Sequence, residues 1–184
     1  MTSTSFQYSD ISSNDLRLLK PLRFASDELH FAIFRFSRDE APPYTAVSYA
    51  WGDEKLTEKI SLNGRILAVT PNLRTCLHYL SMHAEDANWE YIWADAICID
   101  QTNIMERNSQ VRLMHRTYKE AVCVSVWLGL PPLTKKQSKS ASYIPKLFSG
   151  SEAPFSWQDH MAELAGRPYW TRFWVIQEFF LGQD

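Results

Sequence analysis

Residues 91–110 read YIWADAICIDQTNIMERNSQ, and the fold turns on how they are read. Apolar side chains crowd positions 89–99 on both alternating faces, the pattern of a central parallel strand. Asn103 then offers a side-chain cap to a helix from 104 to about 120. Val111, Met114 and Tyr118 form its inner stripe, with Ile104 at the entry. Two carboxylates interrupt the apolar run: Asp95 inside the expected strand and Asp100 at its end. A carboxylate there is costly unless it is paired, hydrogen-bonded or at the solvent end. Ligands of open α/β sheets bind beyond the carboxyl ends of the strands, so this segment also says where to look for a site. In a regular strand, side chains five residues apart face opposite ways. That argues against Asp95 and Asp100 as a catalytic pair. Asp95 reads as a structural acid satisfied by backbone donors or by arginine. Asp100 reads as one wall of a cleft, although with Gln101 and Asn103 it equally suits loop and capping chemistry.

Working outward, strands are expected at 16–19 and 29–36, the second with alternating facing. Pro42-Pro43 punctuates the chain before YTAVSY at 44–49, a β-branched and aromatic strand. Asn63-Gly64 inside 58–69 is a strong hairpin signal. Thr70-Pro71 opens a helix as N-cap and first position, and Leu73, Cys76, Leu77 and Leu80 supply its buried stripe. AVCVSVWL at 121–128 is a further two-faced apolar strand. Residues 131–154, with Lys135, Lys136 and Lys139 among serines and prolines, are expected as a mobile insertion loop. A short helix is expected at 156–165 and a last helix at 168–181, with Gly182 past its end. Residues 1–14 are expected to be a flexible N-terminus and 15–184 one domain. Strands alternating with helices predict an α/β fold with a mostly parallel sheet, to which the N-terminal strands and the hairpin are additions.

Composition narrows the function classes. The chain has 184 residues, 45% hydrophobic and 14% aromatic, enough for one substantial core. A net charge of −2 gives no electrostatic case for nucleic acid. No apolar run approaches the roughly 20 residues of a membrane span. The start MTSTSFQYSD lacks a basic and apolar leader pattern, so a cytoplasmic location is expected. Cys76, Cys98 and Cys123 are widely spaced in apolar patterns and read as reduced core residues. The five histidines have no metal spacing, and no metal is expected. Glycine-rich phosphate loops and nucleophile elbows are absent from the sequence.

Two further blocks carry candidate chemistry. Ser48, Tyr49, Trp51 and Asp53 gather a hydroxyl, a phenol, an indole and a carboxylate on a glycine-bearing turn after the 44–49 strand. That suits a loop over a ligand, or a plain connection whose aromatics cover the sheet. On the last helix Trp174 and Glu178 are four residues apart and share a face. A carboxylate against aromatic rings loses solvation, which suits it to proton or ribose-hydroxyl chemistry. The alternative is a surface glutamate paired with arginine.

These blocks resemble the fungal heterokaryon incompatibility (HET) domain: YTAVSYAWGD at 44–53, LNGRILAVTPNLRTCLHYL at 62–80, WADAICIDQTNIMERNSQVRLMHRTYKEA at 93–121 and RPYWTRFWVIQE at 167–178. The resemblance covers roughly residues 15–184. It implies a cytosolic protein of nonself recognition and programmed cell death signalling, with homo-oligomers or other HET or death-signalling proteins as partners. HET domains are in turn similar to TIR domains, which have a flavodoxin-like sheet. AVSYAWGDE resembles the first TIR strand and its loop, and WVIQE resembles the TIR motif W-x-x-x-E. That likeness implies NAD as a substrate rather than a cofactor, with Glu178 catalytic. Ser48, Tyr49, Trp51, Asp53, Asp100 and Trp174 would then contact the substrate. A TIR-like sheet would continue past Asp184, so a C-terminally incomplete sheet is expected, with the 121–128 strand at its edge. The competing readings are a non-enzymatic adaptor acting by homotypic assembly and an inert truncated homologue.

Overall fold

The computed structural model describes residues 6–22, 28–51, 55–130, 162 and 165–171. Seven strands and four helices are described. In chain order they are β1 (Asp15–Leu22), β2 (His30–Ser37), β3 (Tyr44–Tyr49), β4 (Glu58–Leu62), β5 (Arg65–Val69), α1 (Pro71–His83), β6 (Tyr91–Trp93), α2 (Asp95–Cys98), α3 (Ile104–Arg112), α4 (Met114–Glu120) and β7 (Cys123–Trp127). Arg38–Glu40 and Pro168–Thr171 each form a 3-10 turn. The expected loop at 131–154, the helix at 156–165 apart from residues 162 and 165, and residues 172–181 of the last helix lie outside the described residues.

The architecture is mixed α/β, built on a seven-stranded sheet in the order β5-β4-β2-β1-β6-β3-β7. β3 lies between β6 and β7 and is parallel to both. β4 is parallel to β2, while β1 is antiparallel to β2 and β6, and β4 to β5. β3 is buried along its whole length, as its unbroken apolar and β-branched run requires. β1 occupies the centre of the sheet and packs Leu16, Leu18 and Leu19 into the core at 1% exposure or less.

Local chemistry explains most of the elements. Asn63 and Gly64 take φ of 50° and 74°, the two left-handed positions of a tight hairpin turn between β4 and β5. The Thr70 hydroxyl accepts the Leu73 N–H at 3.3 Å, and Pro71 starts α1 where no backbone donor is needed. Leu73, Cys76 and Leu77 then bury one face of α1. The Asn103 side chain accepts the Met105 and Glu106 N–H groups, both at 3.1 Å, and opens α3.

Two expectations change. The single strand over 89–99 is instead the three-residue β6 followed by the helical turn α2. Ala94 is still extended, but the Ile97 and Cys98 N–H groups turn back onto its carbonyl at 3.0 and 2.8 Å. Ile97 and Cys98 are at most 1% exposed, so this turn needs the same apolar composition as a buried strand. A short apolar run does not tell the two apart. The helix over 104–120 also breaks, at Leu113 (φ −101°, ψ 4°), into α3 and α4.

Residues 6–14 form no helix or strand, yet they are bonded to the body of the fold. The Phe6 N–H donates to the Ile66 carbonyl, the Tyr8 hydroxyl to the Ile97 carbonyl, and the Ser12 N–H to Asp15 Oδ2.

Candidate functional site

The parallel register brings three strand ends together. Ala46 pairs with Trp93 and Tyr49 with Trp127, so β6 stops short and the chain just beyond it lies beside the last residues of β3. Asp95 stands there, on the first residue of α2. Its Oδ2 accepts the Trp51 indole N–H at 3.0 Å, and its Oδ1 accepts the Ala96 N–H at 2.7 Å. The Tyr49 hydroxyl is also hydrogen-bonded to this carboxylate. Burial, and then the negative charge of Asp95, push the Tyr49 phenol well above its usual range. Tyr49 therefore stays a proton donor. Asp95 is 7% exposed and Tyr49 1%, whereas Trp51 is 42% exposed.

The backbone beneath this acid is held firmly. Gln101 Nε2 donates to the Asp95 carbonyl at 2.9 Å. Arg17 reaches from β1 to the Cys98 carbonyl at 3.1 Å and grips Glu106 of α3 with both guanidinium nitrogens, at 2.5 and 3.0 Å. Glu106 Oε1 in turn accepts the Asp100 N–H at 2.7 Å. The Tyr8 ring lies over Arg17, 4.9 Å from its guanidinium carbon. A second buried network lies one turn further along α3, at Gln110. Arg38 donates to Thr117 Oγ1 at 2.8 Å and to Gln110 Oε1 at 2.6 Å, and Gln110 donates to the Asp15 carbonyl. Buried charges and amides need such partnering, and within these two networks only Arg17 Nε is buried without a hydrogen-bond partner.

Around the strand ends, Asn72 near the start of α1 donates to the Ala50 carbonyl and accepts the Trp127 indole N–H at 2.9 Å. One amide thus ties the ends of β3 and β7. Ser48 Oγ and the Tyr169 hydroxyl are 2.6 Å apart and both residues are buried, which brings the segment around residue 169 onto β3. Arg167 Nη1 donates to the Leu128 and Leu130 carbonyls. Gly129 between them has φ of 84°, a conformation that favours glycine.

Of the residues singled out in the sequence, Ser48, Tyr49 and Trp51 meet at these strand ends. Asp95, read there as structural and facing away, is the centre on which Tyr49 and Trp51 converge. Alternating facing does not apply to them, because Asp95 belongs to a helical turn and Asp100 to a loop. Asp100 has local work: its Oδ1 accepts the Thr102 N–H and hydroxyl at 2.9 and 2.7 Å. Asp53, Trp174 and Glu178 lie outside the described residues. Asn72 and Tyr169 also join these strand ends, and an asparagine in a first helical turn and a tyrosine after a proline carry no distinguishing pattern in the sequence. Asp95 did carry a signal, its isolation among apolar neighbours.

Among the described residues no group of three or more His, Cys, Asp or Glu is placed to hold a metal ion. No described helix is long and apolar enough to cross a membrane. A separate apolar groove of about 160 Å³ lies between α1 and β7, lined by Cys76, Tyr79, Leu80, His83, Val126 and Trp127 among others.

A family model described as heterokaryon incompatibility protein (HET) matches residues 44–178. Heterokaryon incompatibility protein 6, OR allele, of Neurospora crassa is 34% identical over 140 residues, covering 67% of this chain and 21% of that protein. The chain thus spans about a fifth of that relative's length. No solved structure matches the chain.

Proposed function

Since this chain belongs to the heterokaryon incompatibility family, we propose that it acts in fungal nonself recognition and that its domain signals programmed cell death by hydrolysing NAD in the cytoplasm. The observation that carries the enzymatic part is the cluster of Tyr49, Trp51 and Asp95 at the joined ends of β6, β3 and β7. These core strands stand in the order second, first, third, as the opening strands of a flavodoxin-like sheet do. The TIR-like reading of the fold rests on that order, with β1, β2 and the β4–β5 hairpin as additions.

In the proposed reaction the bond between the ribose C1′ and the nicotinamide nitrogen breaks. The electron pair leaves with nicotinamide, and positive charge develops on the ribose. Water then adds at C1′, giving ADP-ribose and a proton. Glu178 is the catalytic carboxylate in this reading, holding the ribose hydroxyls and stabilising the oxocarbenium-like state. Trp51 and Tyr49 form the neighbouring wall, with Ser48, Asp53, Asp100 and Trp174 as further proposed contacts.

The test is incubation of the concentrated or artificially clustered chain with NAD, following nicotinamide release. Wild type is expected to consume NAD, and Glu178→Ala to be slower by roughly 100-fold or more. Equal rates would remove Glu178 from the mechanism, and no NAD loss in either protein would sink the enzymatic reading.

A second reading has its own observation. Among the described residues β7 is paired only with β3, and it carries Val126 exposed at 37% with Val122 at 46% just before it. An open apolar edge suits homotypic assembly by an adaptor without enzymatic activity. Cell death on expression that survives Glu178→Ala but is lost with Val126→Lys would favour it.

A further inference from the structure

We propose that Asp95 is a positioning residue, which pins the Trp51 indole by its N–H so that the ring's open face becomes a stacking surface for the heteroaromatic ring of a nucleotide. The ligand class rests on the NAD reading above. The pinning rests on geometry alone.

A tryptophan at 42% exposure ordinarily gives its N–H to water and samples several rotamers. Trp51 instead gives it to a carboxylate that is 7% exposed, at 3.0 Å. The ring is thereby fixed at one edge while much of its surface faces solvent. Amphipathic rings held by a polar edge serve as contact surfaces because they lose little further freedom on binding.

The carboxylate is itself immobile. Its Oδ1 takes the Ala96 N–H, and Tyr49 binds it from the buried side. Its backbone is clamped by Gln101, and the turn that follows by Tyr8 at the Ile97 carbonyl and Arg17 at the Cys98 carbonyl. A buried acid seldom adds more stability than an apolar residue of its size. Three donors and a clamped turn suit a group kept to hold something in place. What it holds lies beyond the carboxyl ends of parallel strands, where open α/β sheets bind ligands. A planar ring presented there fits the flat part of a nucleotide. Base–aromatic stacking contributes roughly 10- to 100-fold in affinity.

The experiment uses the full chain labelled with nitrogen-15 and follows the Trp51 indole N–H resonance, assigned by its loss in Trp51→Phe. AMP and NAD are the probes, and ribose 5-phosphate is the control without a base. AMP and NAD are expected to move the Trp51 resonance, and ribose 5-phosphate to leave it in place. Trp51→Ala should weaken AMP binding by roughly 10-fold or more. Asp95→Ala should move the indole resonance without any ligand and weaken AMP binding severalfold, with partial rescue in Asp95→Asn, which keeps an acceptor oxygen and guards against a folding defect. In the Trp51→Phe protein, which has no indole N–H, Asp95→Ala should cost nothing further.

An Asp95 substitution that weakens binding equally with Trp51 or with phenylalanine there would make its role merely structural and overturn the positioning claim. Failure of both AMP and NAD to move the resonance would overturn the stacking surface. Binding needs no turnover, so nucleotide stacking without NAD loss would sink hydrolysis and leave this inference standing. NAD loss that is indifferent to Trp51→Ala would do the reverse.

Discussion

Arg17 shows what a charge requires at the centre of a sheet. It is 4% exposed, and its fork engages Glu106, the Cys98 carbonyl and the Ser9 carbonyl. Removing one member of a buried ion pair strands the other, at a cost of about 3–5 kcal/mol. Arg17→Met and Glu106→Leu are each expected to lower stability by that much in urea unfolding. The double substitution should cost much less than the sum, because no charge is left unpaired. The cysteines make the opposite case. Burial pushes Cys76 and Cys98 up to about 12, so neither is a thiolate near neutral pH. A thiol reagent should label native Cys123, which is half-buried, well before Cys76 or Cys98, and all three alike in denaturant. Rapid native labelling of Cys98 would contradict its burial. At this scale the sequence showed that Asp95 needed partners, but the partners themselves, Trp51 and Tyr49, are brought to it by strand register. Arg17 looked like one basic residue among the apolar residues of an N-terminal strand, and nothing local pointed to Glu106, 89 positions away.

At the level of single elements, the legible pieces are those whose cause is local. Thr70, Pro71 and the Leu73, Cys76, Leu77 spacing specify α1 without outside help, and Asn63-Gly64 specifies its hairpin. Thr70→Ala is expected to cost about 1 kcal/mol as the Leu73 N–H loses its partner. Gly64→Ala meets no atom within 4 Å, so its cost is conformational alone, about 1 kcal/mol for a left-handed alanine. Thermal unfolding of the two variants checks both figures, and a much larger loss in Gly64→Ala would mean that a contact had been overlooked. The illegible pieces are those decided by tertiary packing. Residues 95–98 form a helical turn that buries Ile97 and Cys98, and their composition fits either conformation. The candidate site was half visible for the same reason. Ser48, Tyr49 and Trp51 adjoin in sequence, whereas Asn72 and Tyr169 join them only through folding.

Across the whole molecule the titrating groups set an alkaline limit. Burial raises Tyr8, Tyr44 and Tyr49 above the ordinary 10.0, and Cys76 and Cys98 above the ordinary 9.0. A group raised in the fold keeps its proton there while the unfolded chain releases it. Its stabilisation is therefore complete below the unfolded value and declines as pH rises toward the folded one. The melting temperature is expected to hold to about pH 9 and then fall steadily through pH 11. A flat profile over that range would show these groups to be open to solvent.

The placement of β1 has one more consequence, for where this unit can be cut. The match to the family model begins at residue 44, but β6 leans on β1 through the Leu19–Ile92 pairing, and β4 pairs with β2. A fragment starting at Tyr44 would bare the flank of β6, unmoor the β4–β5 hairpin and abandon Glu106 without its guanidinium. It should precipitate or elute as aggregate, while a fragment from residue 6 stays soluble. The stretch that the family model matches and the stretch expected to fold together are thus different lengths of the same chain.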